Sequence, residues 1–579
     1  MNHEVLVVAW RWLVALGILQ AAAAIAHAGQ SVESPFAPVV AESLREAHPS
    51  GTAPSDRLLV VGNGYDALLL RVHLIRQATT SVAIQTFIWT NDECGRLLIY
   101  ELIEAARRGV KVRLIVDHMF SDQDADIVAF LATVHPNFAV KHYRPAMSRM
   151  KPSFFHTLLA GLSSFRDTNQ RMHNKVMVVD GTILLTGGRN VENTYFDHST
   201  GLNFRDRDVL AVGAVARAAL ESFESYWHYR HAVPSRELVD VQAAIAGDRF
   251  RRYPTRGDYD FGPHFADLDR EASDAALIAS RFVSRLKPVR KVSFVADEPG
   301  KTLRSSVQIA RITRELRHVL EKATTSVVMQ TPYLVLSRPA RNVFREMRVR
   351  NPGLQVLIST NSFASTDNLM AYSANYRLRN DYVQDLKLAI YEYKPQPASL
   401  ERLFPRHRVM REIGMADPAR AGKRAPFLCM HAKSLVVDDT ITFIGSYNLD
   451  PRSEHFNTEA GLLIEDADFA RELRAEIEED MRPENSWVIG RRAFPLGLET
   501  ANGLLDGVLS LGPIDVWPVQ NTSSFELRPG ATPVRPDHPS FHDRYREVGS
   551  FPGTDGLLST KEILTRLYKA VGAPLTPVL

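Results

Sequence analysis

Apolar residues along this 579-residue chain fall into two rhythms. Short runs such as "VAIQTFIW" from Val82 and "VKVRLIVD" from Val110 have the length and bounding residues of buried strands. Longer stretches, 94–108 and 339–350, alternate apolar and polar positions at helical spacing. The order in the first half is helix, strand (81–89), helix (94–108) and a second strand from Val110. Gly109 sits just past the helix, where a glycine ends one most easily. The order repeats as strand 326–334, helix 339–350 and a strand from Leu354. Such alternation predicts an α/β fold, each unit a mixed, largely buried β-sheet flanked by helices.

The words themselves also repeat. "ATTSVAIQT" from Ala78 returns as "ATTSVVMQT" from Ala323, an offset of 245. "FAVKHYRP" from Phe138 returns as "LAIYEYKP" from Leu388, at 250, and "RMHNKVMVVDGTILLTGGRN" from Arg171 returns as "CMHAKSLVVDDTITFIGSYN" from Cys429, at 258. Anchors in one order with a slowly growing offset indicate a duplicated domain with small insertions. The expected domains are 57–236 and 301–484, facing each other across a pseudo-two-fold axis with the site between them. Residues 237–300 are expected to be a linker segment without chemistry. Residues 29–56 form a Pro- and Ser-bearing leader linker.

The two ends carry separate signals. "WLVALGILQAAAAIAHAGQ" follows Arg11, and Ala26-His27-Ala28 has the form of a cleavage site. Residues 1–28 are therefore expected to be a signal peptide or an uncleaved membrane anchor. The body would then be exported across, or attached to, a bacterial inner membrane on its periplasmic face. The region 485–579 is rich in Pro and Gly and is expected to end in an amphipathic helix. Ser559 and Glu562 form its capping pair, and Leu564, Leu567, Tyr568 and Val571 share one face. That helix is expected to pack on the body rather than lie on an anionic membrane.

Composition narrows the classes. An apolar content of 45% and a charged content of 23% are those of a globular protein. With 69 basic and 66 acidic residues the net charge is only +3, which argues against a nucleic-acid partner. Cys94 and Cys429 make neither a disulfide framework nor a zinc site and read as small buried hydrophobes.

The duplicated stretch holds the chemistry. Each copy has the form H-x-K-x4-D-x6-G-x2-N: His173, Lys175, Asp180, Gly187 and Asn190, then His431, Lys433, Asp438, Gly445 and Asn448. Strand alternation puts each His and Lys on one side, expected to be the side facing the other half. Two histidines, two lysines and two asparagines suit a phosphoryl centre. The Lys and Asn side chains donate to the equatorial oxygens. One imidazole attacks phosphorus, while the other carries the proton of the leaving and then the incoming alcohol. No metal and no cofactor is required. Asp206 and Glu459 are the expected partners that orient the imidazoles, with Asp208 competing in the first half, and Ser446 supports the second copy. Asp180 and Asp438 are expected to fix a turn or to bridge the halves. Arg189 and Arg452 are candidates for phosphate contact. Phe87, Trp89, Tyr333 and Tyr447 read as core packing rather than a lipid channel.

These residues resemble the phospholipase D superfamily in its two-motif, single-chain form, over roughly Leu58 to Arg482. Within it, "GGRN" and "GSYNLDPRSEHFNTEAGLLIE" look most like bacterial cardiolipin synthases of the C type. The resemblance implies a phosphohistidine intermediate and transfer of a phosphatidyl group from a phospholipid to phosphatidylglycerol. It also implies His173 as nucleophile and His431 as general acid and base. Phospholipase D hydrolysis, with water as acceptor, is the alternative. The partners implied are phospholipids at an anionic membrane surface.

Overall fold

The structure, a computed structural model, describes residues 34–45, 56–119, 121–122, 124–145, 148–151, 169–262, 265–301, 310–420, 423–493 and 521–554. The expected leader (1–28) and the expected C-terminal amphipathic helix lie outside the described residues. Among the described residues no helix is long and apolar enough to cross a membrane.

The first half contributes strands β1 (Arg57–Val61), β2 (Ser81–Thr86), β3 (Lys111–Asp117), β4 (Phe138–Tyr143), β5 (Val176–Val179), β6 (Ile183–Gly187), β7 (Leu202–Arg205), β8 (Asp208–Val212), β9 (Ala232–Pro234) and β10 (Lys287–Pro288). The second contributes β11 (Val292–Ala296), β12 (Ser326–Gln330), β13 (Gln355–Asn361), β14 (Ala389–Tyr393), β15 (Phe427–Met430), β16 (Ser434–Val437), β17 (Ile441–Gly445), β18 (Ala460–Glu465), β19 (Ser486–Arg491), β20 (Thr522–Leu527) and β21 (Tyr545–Gly549). Their sheets run β10-β1-β8-β6-β5-β2-β3-β4-β9 and β11-β18-β17-β16-β12-β13-β14-β19-β20-β21. From β1 to β9, and from β11 to β19, the order is the same. In each sheet only the pairs β2–β3 and β3–β4, or β12–β13 and β13–β14, are parallel.

Local chemistry sets the helices that join the parallel strands. Asp92 caps the helix Glu93–Arg107 by accepting from Gly95 N at 2.9 Å. Gly109, at φ 102°, ends the turn while its N–H and that of Val110 reach Ala106 and Ala105 carbonyls. Ser337 caps Arg338–Arg350 in the second half, with Pro339 in the first turn.

Strand alternation divides the core. Met177 and Val179 of β5 join the cluster between the first sheet and its helices, as Leu435 and Val437 of β16 do in the second. Val176, Val178, Leu184 and Val209 meet Val328, Val436, Ile444 and Leu462 in a cluster between the two sheets. The sheets thus lie back to back, with the helices Val215–Trp227 and Ala467–Asp480 sharing the cluster between them, and each apolar side chain so buried is worth about 1.5–3 kcal/mol.

Three expected boundaries are corrected. Residues 237–300 are not a linker: Tyr259, Phe265, Leu268, Ile278 and Phe282 belong to the first half's core, and β11 is already the edge of the second sheet. Their apolar residues come too irregularly to show a period, so the segment read as connection. In the 29–56 leader, Phe36 is buried in that same core. The Pro- and Gly-rich end supplies β19, β20 and β21, which extend the second sheet.

Candidate active site

At the start of β5 and β16 the chain leaves its own sheet and ties to the other half. His173 N donates to Thr458 O and Thr458 N to Arg171 O, each at 2.9 Å. Reciprocally, β15 pairs in parallel with β7, and His431 N donates to Arg205 O at 2.8 Å. The motif histidines and lysines therefore precede the regular strands rather than sitting within them.

The crossing delivers each imidazole to a carboxylate of the opposite half. His173 Nδ1 lies 2.8 Å from Glu459 Oε2, and His431 Nδ1 lies 2.5 Å from Asp206 Oδ2. Both carboxylates are wholly buried, and both histidines nearly so. Burial pushes Glu459 up, but His173, Lys175 and Ser446 outweigh it and leave it below its ordinary value. Burial likewise pushes Asp206 up, but His431 and Lys433 outweigh it and hold it below its ordinary value. As ionised acceptors they require the proton on Nδ1, leaving the lone pair on each Nε2, and that of His431 faces Lys433 Nζ at 3.0 Å.

The lysines complete the cluster. Lys175 Nζ donates to His173 O at 2.8 Å and lies over the Phe87 ring at 5.2 Å. Lys433 Nζ donates to His431 O at 2.5 Å and sits within 3.0 Å of both ring nitrogens. Burial, opposed by Glu459 and reinforced by Lys433, lowers Lys175 to about 7. Burial lowers Lys433 to about 8 despite Asp206. His173 falls to about 4 by burial, with Glu459 offsetting part, and burial and Lys433 lower His431. At neutral pH both free imidazoles are neutral.

The acids are held differently. Glu459 accepts from Ser446 Oγ at 2.5 Å and Ser453 Oγ at 2.7 Å. In the first half Gly188 stands where Ser446 does, and a Cβ there would fall 2.1 Å from Asp206 Oδ1. A short acid thus goes with Gly188 and a long one with Ser446. Gly187 and Gly445 serve strand approach: an added Cβ would meet the Arg207 carbonyl at 2.3 Å and the Ala460 carbonyl at 2.3 Å, respectively.

Other sequence candidates take other places. Asn190 donates to Tyr195 Oη at 2.8 Å and accepts from Ile88 N at 3.3 Å. Asn448 N donates to Ser453 Oγ at 3.2 Å, and its buried Oδ1 has no hydrogen-bond partner among the described residues. Asp180 and Asp438 stand at the far end of their strands, five residues or ~17 Å from the lysines. Asp180 accepts five hydrogen bonds of 2.8–2.9 Å from the N–H groups of Thr79, Thr80 and Ser81 and both threonine hydroxyls. Asp438 does the same for Thr324, Thr325 and Ser326 at 2.7–2.9 Å. Of their two expected roles, the structure gives the turn and not a bridge between halves, and neither touches the histidines. Asp208 pairs with Arg71 and Arg189, not with an imidazole. Arg189 donates to the carbonyls of Val61, Gly62, Tyr195 and Asp206, so it is a staple and not a phosphate contact. Arg452 lies against Asn169 and Asn457 at 3.4–3.5 Å.

Sequence reading missed several neighbours. Ser453 had a signal in the "DPRS" run. Tyr195 and Phe204, whose rings lie 5.1 and 4.7 Å from that of His431, had none. Asp297 accepts from Glu459 N at 3.1 Å and from Lys301 Nζ at 2.9 Å, and it lies in the supposed linker.

Residues 72–227 and 316–481 both match the family described as "Cardiolipin synthase, PLD-like domain". An uncharacterized protein of Helicobacter pylori is 30% identical over 465 residues, covering 78% of this chain and 84% of that one. Cardiolipin synthase C of Escherichia coli is 29% identical over 409 residues, covering 70% and 80%. Among solved structures, the phosphatidylserine synthase of Haemophilus influenzae aligns with a TM-score of 0.48 at 16% identity, covering 74% and 87%.

Proposed function

We propose, from the premise that this chain belongs to the cardiolipin synthase family of phospholipase D-like proteins, that it transfers a phosphatidyl group between phospholipid alcohols through a phosphohistidine. The observation that carries the reading is the reciprocal crossing of His173 to Glu459 and His431 to Asp206, with Lys175 and Lys433 beside them.

His173 Nε2 attacks phosphorus, and the bond from phosphorus to the leaving headgroup oxygen breaks. His431 gives that oxygen its proton. The acceptor hydroxyl then enters, gives its proton back to His431 and attacks phosphorus as the His173–phosphorus bond breaks. Two buried lysines counter the charge of the equatorial oxygens. At an effective dielectric of 20 and 4 Å, each such contact is worth roughly 4 kcal/mol. An anionic diester entering the site raises both histidines, which brings His431 toward the protonated form its first step requires. The expected acceptor is phosphatidylglycerol, giving cardiolipin, at the exported face of a membrane. The relative named Cardiolipin synthase C supports the lipid assignment, and the apolar leader supports the location.

The test is the purified full chain incubated with phosphatidylglycerol vesicles and followed by lipid mass spectrometry. Cardiolipin with released glycerol is expected. Phosphatidic acid without cardiolipin would assign the hydrolase reaction instead, and no lipid change at all would refute both.

A further inference from the structure

Behind Lys175, between the first sheet and its helices, a buried ionic cluster fills the space. Arg71 Nη2 meets Asp208 Oδ2 at 2.9 Å and Arg189 Nη1 meets the same oxygen at 3.4 Å. The cavity left there, bordered by Lys175, Met177 and Ile75, is about 30 Å³. By the repeat, the equivalent positions in the second half hold Leu316, Gly461 and Tyr447. No charge is left to fill the space, and a cavity of about 230 Å³ opens. Its walls are Leu316, Leu320, Met329, Val343, Phe344 and Leu435, and Lys433 reaches its inner end. Gln330 is also on the wall, but its amide is engaged by Arg207 at 2.5 Å and Asp480 at 2.7 Å. Exposed Arg317 and His455, and the half-buried Glu454 that lies 3.8 Å from His455, border the outer end.

Size and chemistry restrict the occupant. An apolar cavity of ~150 Å³ is enough to take up benzene, so this one has room for a hydrocarbon segment, while the first half's has not. The polar group at its inner end is the ammonium assigned to the phosphate. A ligand with an alkyl chain joined a few atoms from a phosphodiester matches both. We infer, resting on the proposed lipid chemistry, that this second-half cavity seats one acyl chain of a substrate phospholipid. The duplicated site is therefore asymmetric: the lysine of one half is backed by ions and the other by hydrocarbon. This cavity would anchor the lipid whose phosphate is at the centre and set the chain length the enzyme prefers.

The test uses the full chain in mixed micelles and needs no variant for its first arm. Phosphatidylglycerol carrying a diazirine in one acyl chain is irradiated with the protein, and labelled peptides are mapped by mass spectrometry. Label on 316–320 or 340–344 is expected, and label confined to other segments overturns the inference. In the second arm, Ala340→Trp and Leu316→Trp fill the cavity. The ratio of turnover on dioleoyl to that on dihexanoyl phosphatidylglycerol should fall roughly ten-fold, the worth of about two buried methylenes. A ratio within two-fold of wild type in both folded variants also overturns it. Absence of lipid turnover in the wild-type chain would defeat the functional reading and this inference with it. Wild-type turnover with unchanged chain preference would defeat the cavity alone.

Discussion

Gly188→Ser tests how the short acid is held. The new Cβ would stand 2.1 Å from Asp206 Oδ1, against the 3.4 Å or more of an ordinary contact, so the carboxylate must move. Moving it breaks the contact to His431 Nδ1 at 2.5 Å and the bond from Arg207 N at 2.7 Å. A hydrogen bond to a charged group is worth about 1.5–3 kcal/mol, so loss of the histidine contact alone slows turnover roughly 10- to 150-fold. Overpacking adds about 1–3 kcal/mol of lost stability. Asp206→Glu alone should also be slow, since the longer acid has no hydroxyl to hold it beside the ring. The double variant Gly188→Ser with Asp206→Glu copies Ser446 and Glu459, where the hydroxyl donates at 2.5 Å. It should recover to within about five-fold of wild type, which with each single variant slowed roughly ten-fold or more is a coupling of about 2 kcal/mol or more. The assay is steady-state cardiolipin formation for all four proteins, with a melting temperature for each. Full activity in Gly188→Ser, or a double variant no faster than either single one, would refute the argument.

Three further outcomes are expected. His173→Ala and His431→Ala should each lower lipid turnover on the order of 10⁴-fold or more, read by radiolabelled headgroup release; turnover above a tenth of wild type in either would end the two-imidazole scheme. The kcat/KM profile should fall on the alkaline side as Lys175 at about 7 and Lys433 at about 8 lose their protons, and on the acid side as His173 gains one near about 4; a flat profile from pH 5 to 9 would contradict the lysine role. Asp438, held at about 2 against burial by the N–H and hydroxyl groups of Thr324, Thr325 and Ser326, contributes stability above the ordinary carboxylate range that is lost as pH falls through about 2. Asp438→Asn, tolerated at φ 50°, should cost about 1–2 kcal/mol after allowance for solvent exposure, or about 2–6 °C, at pH 7 and much less at pH 2.

The sequence made the duplicated α/β plan plain, because strand and helix periods repeat at nearly constant offset. The roles of Asp180 and Asp438 were half visible: "ATTS" and the motif Asp recur together, but nothing in a linear reading says that one caps the other. That Asp206 and Glu459 orient the imidazoles was legible from their places after the motifs, but that each serves the histidine of the opposite half was not. It depends on which chain segments leave their own sheet, and nothing in the short runs of β7, Leu-Asn-Phe-Arg, and β15, Phe-Leu-Cys-Met, marks them as the ones that do. Arg189 misled for a related reason, since a basic residue beside a motif looks the same whether it meets phosphate or four buried carbonyls. Residues 237–300 were misread because their helices are short and their apolar contacts, such as Phe265 and Ile278, are isolated in sequence.

The crossing of β7 with β15 and of Met172 with Thr458 also bears on synthesis. A chain halted after its first half carries His173 without Glu459, and Asp206 without the imidazole it serves. Neither histidine meets its acid until both halves have folded onto each other. The proposed chemistry is thereby withheld from truncated or half-folded copies: the finished fold is itself the safety catch.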